Sequence, residues 1–171
     1  YEHFMIKEIH EQPKAVRDTL AGMIKDGRID LSSAGLTEEI LAGISEVRIA
    51  ACGSAWHAGM VGQYVIEDLA EIPVRAELAS EFRYKKMIID KDALVVVISQ
   101  SGETADTLAA LRAAKEHGLR TLAVVNVVGS TIAREADNVL YTLAGPEIAV
   151  ATTKAYSSQL AAMYALALAV T

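Results

Sequence analysis

A parallel α/β sheet with helices on both faces is the fold class this sequence predicts, and three observations predict it. Five short, apolar, largely β-branched runs recur between residues 47 and 142, and helical segments separate them. One run, Leu94-Val95-Val96-Val97-Ile98, contains no polar residue at all. Strand and helix in alternation is the pattern of a parallel sheet, because parallel neighbours need a long crossover between them. A strand without a polar position is one covered on both faces, which makes residues 94–98 the expected central strand of a five-stranded, three-layer sandwich.

Residues 4–24 carry apolar positions at helical spacing, interrupted by Pro13. Proline has no N–H and a fixed φ, which suits the first turn of a helix, so two short helices are expected there. Residues 26–37, rich in Gly, Ser and Asp, read as a loop, and Thr37-Glu38-Glu39-Ile40 as the capped start of a short helix. Strands follow at residues 47–51, 74–78, 94–98, 121–125 and 139–142. Helices are expected at 55–69, 80–85, 104–117, 131–136 and 153–170. The whole reads as one domain, with residues 1–45 a helical segment packing on the α/β unit of residues 46–171.

Composition narrows the function classes. With 171 residues, 52% hydrophobic and 22% charged, the chain can bury a full core. A net charge of -6 and a pI near 5.2 argue against a nucleic-acid partner, which calls for a basic stripe. The single cysteine cannot form an internal disulfide, and a reducing, cytoplasmic setting is the expectation. The longest apolar run, residues 160–170, falls short of the roughly 20 residues that span a bilayer, and no secretory signal is visible, so no membrane partner is expected. The four histidines lack metal-ligand spacing, and neither a metal nor a cofactor is expected. The chain starts at Tyr1 without an initiating Met and ends at Thr171 inside a helical pattern, as a piece of a longer protein would.

Ligands of open α/β sheets sit beyond the carboxyl ends of the strands, so the strand-to-helix loops carry the functional reading. The most informative is Ser99-Gln100-Ser101-Gly102-Glu103-Thr104, where three hydroxyls lie within six residues, Gly102 permits a sharp turn and a helix follows. Open N–H groups at a helix start, together with neutral hydroxyl donors, suit a phosphate. The dipole term is only about 0.3 to 1 kcal/mol, so several converging hydrogen bonds must do most of the holding. Capping of the helix by Ser101 or Thr104 is the alternative, but a cap needs one hydroxyl and this loop has three.

A second loop, Cys52-Gly53-Ser54-Ala55-Trp56-His57, fits neither the dinucleotide nor the Walker pattern. Gly53 serves a tight turn there, Ser54 a cap, and Cys52 reads as a small buried residue more than a reactive thiol. His57, in the first turn after Gly53, is the one histidine worth testing. The third loop places Thr152 and Thr153 beside Lys154, with Glu147 upstream. Lys154 could steer a phosphate or stand solvated in a first turn, and Glu103 and Glu81 could act as acid or base on a sugar hydroxyl.

The hexapeptide at residues 99–104 resembles the signature loop of sugar isomerase (SIS) domains. Taken with YEHFMIKEIHEQP at 1–13, ASEFRY at 79–84 and EIAVATTKAY at 147–156, the chain resembles, over essentially its whole length, the first of two SIS domains in the glucosamine-6-phosphate synthase family. These are the glutamine:fructose-6-phosphate aminotransferases (isomerizing). The resemblance implies a flavodoxin-like sheet that binds fructose 6-phosphate or glucosamine 6-phosphate. It assigns the phosphate to Ser99, Gln100, Ser101 and Thr104, and the sugar to Ser54 and the Val150 to Thr152 stretch, with Gly53, Gly102, Glu103 and Lys154 as further candidates. Two positions depart from the family. Ala55 stands where a serine hydroxyl is usual, and Thr152 replaces a common Ser. The resemblance also implies partners absent from this chain, namely a glutaminase domain and a second SIS domain that supplies the catalytic lysine and acid/base groups. No catalytic residue is therefore assigned here, a homodimer is expected, and the fragment alone is expected to be inactive. Sensor modules of the same fold would be announced by a basic helix-turn-helix, which residues 1–42 lack. A stand-alone aldose-ketose phosphate isomerase would need a general base that cannot be assigned.

Overall fold

The computed structural model describes residues 1–171, and its first element departs from the expected pair of helices: α1 (Phe4–Ala21) runs unbroken through Pro13. Proline removes the N–H that would bond the carbonyl of Ile9. Gln12 Nε2 donates to that same carbonyl at 3.1 Å and replaces the lost bond. Its Oε1 accepts Ser157 Oγ at 2.6 Å, so the repair also ties α1 to the far end of the chain. The expected loop after α1 opens instead with a hairpin, β1 (Ile24–Lys25) and β2 (Arg28–Ile29). Asp26 and Gly27 have φ of 51° and 76°, the two left-handed residues that a two-residue hairpin turn of the I′ type demands. After a single 3-10 turn, α2 (Glu38–Ala42) starts at Thr37, whose Oγ1 accepts the Ile40 N–H at 3.3 Å.

From there strand and helix alternate as expected: β3 (Val47–Ala51), α3 (Gly53–Ala70), β4 (Val74–Leu78), α4 (Ala79–Phe82), β5 (Leu94–Ser99), α5 (Ala105–Glu116), β6 (Arg120–Val125), α6 (Thr131–Glu135), β7 (Asn138–Tyr141) and α7 (Lys154–Ala169). Only α4 is clearly shorter than expected. Beyond Phe82 the side chains of Arg83 and Lys85 turn to pair with Asp106 and Glu77. The five long strands are all parallel, in the order β4-β3-β5-β6-β7, with β5 in the middle. The chain moves outward from β3 to β4 and then crosses back to β5. That reversal opens a crevice between the carboxyl ends of β3 and β5, the switch point of a flavodoxin-like sheet.

The pleat divides the core in two. Val47, Ile49, Leu94, Val96, Ile98, Leu122 and Val124 face one side with Ile66 of α3 and Met163 and Leu166 of α7. Ala50, Val95, Val97, Ala123 and Val125 face the other with Phe82, Leu111 and Ile132. Each fully buried Val, Ile or Leu contributes about 1.5 to 3 kcal/mol, so a charge at Val96, which is 0% exposed, would break the centre of the sheet. Helix α3 lies close because Gly59 and Gly62 have no side chain. A Cβ on them would stand 2.8 Å from Ile49 Cγ2 and 2.9 Å from Met163 Sδ. No helix is long and apolar enough to cross a membrane.

Candidate functional site

The loop after β5 is built by its own hydroxyls. Ser99, buried at the end of the strand, accepts the Gly102 N–H at 3.0 Å and shares a 2.9 Å hydrogen bond with Thr104 Oγ1. Ser101 Oγ accepts the Glu103 N–H at 3.2 Å. Gly102 turns with φ +67°, a conformation that costs a side chain roughly 1 to 2 kcal/mol. Thr104 occupies the N-cap position of α5, yet its side chain makes no capping bond. The N–H groups of Ala105, Asp106 and Thr107 consequently meet no protein acceptor. Three hydroxyls, a half-buried Gln100 and a row of open amides thus lie at one helix start.

The loop after β3 lies beside it across the crevice. Cys52 Sγ is 3.8 Å from Thr107 Oγ1 in the first turn of α5, which joins the two loops at their bases. Gly53 starts α3 with φ +57°, and Gly53 and Ser54 are both exposed at the rim. Ala55 is buried. His57 is exposed and lies against the Trp56 ring, with centroids 5.0 Å apart. Glu81 on α4 is exposed.

The third loop is held from α1. Buried Glu8 accepts the Ile148 N–H at 2.6 Å and the Ala149 N–H at 3.2 Å through Oε1. Glu147 accepts the N–H groups of Thr153 at 3.3 Å and Ala155 at 2.9 Å, and so takes the capping role that no hydroxyl fills. Val150 is fully exposed and Thr152 half-buried. Lys154 is neither solvated nor open to a ligand in the expected way. It is 4% exposed and paired with Glu11 at 2.6 Å, and that hydrogen bond holds the Glu11 carboxyl below its ordinary value.

Residues 40–169 match the family model of the SIS domain. The chain belongs to the SIS domain family. It is 63% identical over 169 residues to the glutamine–fructose-6-phosphate aminotransferase (isomerizing) of Clostridium tetani, covering 98% of this chain and 28% of that protein. Identity to the enzyme of the same name from Caldanaerobacter subterraneus subsp. tengcongensis is 60%, with the same shares covered. Among solved structures, the C-terminal domain of glucosamine-fructose-6-phosphate aminotransferase from Francisella tularensis superposes with a TM-score of 0.94 at 42% identity, over 99% of this chain and 48% of that one. This SIS domain therefore spans about 28% of the length of the curated relatives it matches.

Within the SIS domain, one residue at the carboxyl edge escaped the sequence reading. Asn126, immediately after β6, donates from Nδ2 to Gly145 O at 2.8 Å, and its Oδ1 accepts the Ala144 N–H at 2.8 Å and Thr142 Oγ1 at 3.1 Å. It folds the chain after β7 back over the edge and leaves an open cleft of about 510 Å³ that reaches from Gln100 to Leu143, Pro146 and Glu147. The signal was a lone polar residue ending an apolar strand at the same edge as Ser99. Two acidic groups close to the β5 loop also have local partners. Arg83 pairs with Asp106 at 2.7 Å, and Glu103 Oε1 accepts the Thr131 N–H at 2.7 Å. Hydrogen bonds from Thr131 hold the Glu103 carboxyl below its usual range, so it is ionised at neutral pH and presents no acidic proton.

Proposed function

We propose that this SIS domain is the phosphate-binding half of the isomerase part of a glutamine:fructose-6-phosphate aminotransferase, with fructose 6-phosphate or glucosamine 6-phosphate as ligand. The observation that carries the reading is the convergence of Ser99, Ser101 and Thr104 on a helix start whose N–H groups have no protein acceptor, at the switch point of the sheet. A doubly charged ester there gains several charge-assisted hydrogen bonds at once. In this reading Ser99, Gln100, Ser101 and Thr104 hold the ester, while Ser54 and the Val150 to Thr152 stretch meet the sugar from either side. Gly53 and Gly102 let the backbone approach. Lys154 acts through Glu11 and the loop before it and does not touch the ester.

The high identity to aminotransferases of which the chain spans only 28% supports a parent protein with a glutaminase domain and a second SIS domain. That parent works in the cytoplasm as a homodimer, and residues 1–45 are an extension packed on the 46–171 unit. The acid/base groups for ring opening belong to the missing half, so this chain binds the sugar phosphate without converting it.

The test is Ser101→Ala combined with Thr104→Ala, measured as fructose 6-phosphate affinity by calorimetry. Two lost hydrogen bonds to a charged group are worth about 1.5 to 3 kcal/mol each, so binding should weaken by two orders of magnitude or more. A double variant that binds like the wild type would move the ester elsewhere.

A further inference from the structure

The loop that holds the hydroxyls does not rest on its own strand alone. It is gripped from the side by the start of the next crossover. Glu103 Oε1 takes the Thr131 N–H at 2.7 Å, Gly102 O takes the Ile132 N–H at 3.0 Å, and Gln100 O takes the Asn126 N–H at 3.2 Å. Ser130 is pressed so closely on Gly102 that a Cβ there would lie 2.0 Å from its Oγ. Arg134 braces the gripping segment from behind, donating to Gly129 O and, at 3.0 Å, to Thr131 Oγ1. Three residues of the loop, Gln100, Gly102 and Glu103, thereby accept hydrogen bonds from the segment 126–132.

We infer that Glu103 is a positioning residue for the phosphate ester: its carboxylate ties the β5 loop to Thr131 and keeps Ser101 and Thr104 aimed at the ester, although it carries the wrong charge for the ligand. This rests on the cradle reading above. The charge makes the inference unusual and also testable. A carboxylate beside a phosphate repels it, so if Glu103 did nothing for geometry, removing its charge could only tighten binding. What keeps an acidic residue tolerable at this position is that the Thr131 N–H bonds the carboxylate, while the Arg134 guanidinium bonds the Thr131 hydroxyl next to it. Gln at 103 keeps an oxygen that can accept the Thr131 N–H, whereas Ala removes both the oxygen and the charge. The two substitutions therefore separate position from charge.

The experiment titrates fructose 6-phosphate, and inorganic phosphate as the minimal probe, into the wild-type chain, Glu103→Gln and Glu103→Ala by calorimetry at a temperature well below melting. Amide exchange at Thr131 and Ile132 is followed in parallel. Glu103→Gln should bind as tightly as the wild type or tighter. Glu103→Ala should bind about 2- to 12-fold more weakly than Glu103→Gln, the worth of one ordering hydrogen bond, and its Thr131 and Ile132 amides should exchange faster. An Ala variant that binds as tightly as the Gln variant overturns the inference, since charge alone would then account for the residue. The Ser101/Thr104 double variant keeps the two ideas apart. If that variant loses the ester while Glu103→Ala keeps it, the cradle stands and the grip falls. If it binds like the wild type, the cradle itself fails.

Discussion

Replacing Gly102 by alanine tests how tightly the β5 loop is packed, and its cost can be worked from two separate terms. The φ of +67° puts an L side chain in the left-handed region, a penalty of roughly 1 to 2 kcal/mol. The new methyl would then stand 2.0 Å from Ser130 Oγ and 2.5 Å from Ser130 Cβ. A Cβ cannot rotate away, so the backbone at the start of α6 must shift, and overpacking of this kind costs about 1 to 3 kcal/mol. The sum is about 2 to 5 kcal/mol, and at about 2 to 4 °C per kcal/mol for a chain of this length the midpoint should fall by roughly 4 to 20 °C. Ser130→Gly supplies the internal control. Ser130 is buried, its Oγ has no partner, and it makes no side-chain cap for α6, so glycine there removes the obstacle at small cost. In the pair Gly102→Ala with Ser130→Gly, only the left-handed term should remain, about 1 to 2 kcal/mol. Thermal melts of the four proteins by circular dichroism give the cycle. Should Gly102→Ala melt within about 1 °C of wild type, or the pair melt no higher than the single variant, the close approach of α6 to the loop would be refuted.

Two further outcomes follow from the same structure. Glu11 and Glu135 are held below the ordinary glutamate value of 4.5 by hydrogen bonds from Lys154 and Arg112 respectively, so their stabilisation is present above that pH and is lost as pH falls through the lowered folded values. Melting temperature should therefore decline on acidification below about pH 4.5, and Glu11→Gln should flatten that decline while lowering stability at pH 7. Ala55→Ser adds a hydroxyl at the first turn of α3; if the proposed ester site is right, one added hydrogen bond of about 0.5 to 1.5 kcal/mol should tighten fructose 6-phosphate binding by roughly 2- to 12-fold in calorimetry.

The strands were legible because burial on both faces leaves no room for polar residues, and Leu94 to Ile98 in the middle of the sheet is the clearest case. The loop at 99–104 stands out in the sequence as a cluster of hydroxyls after such a strand, but the hydrogen bonds by which Ser99 and Ser101 build the loop itself are not visible there. What could not be read depends on partners far away in the chain. Pro13 looked like a break, since nothing in an apolar pattern announces that Gln12 will turn back to Ile9 O. Lys154 looked exposed, and it is buried because Glu11 arrives from a helix 143 positions away. Glu103 looked like a free acid until the turn after β6 brought Thr131 to it. The hairpin at Asp26-Gly27 is different. Its signal is local, but flanking strands of only two residues carry no alternation that marks them as strands.

The dependence of residues 147–154 on α1 has a practical consequence for where this domain can be cut. A fragment trimmed to the family match, beginning near residue 40, would retain every strand of the five-stranded sheet and both hydroxyl-bearing loops nearest its centre. It would also discard Glu8 and Glu11, which hold Ile148 and Lys154, and Gln12, which holds Ser157 of α7. Lys154 would lose its counter-ion, and the amides of Ile148 and Ala149 would have to find water. Such a truncated protein would keep the secondary structure of the sheet and still have lost the contacts that fix residues 147–154.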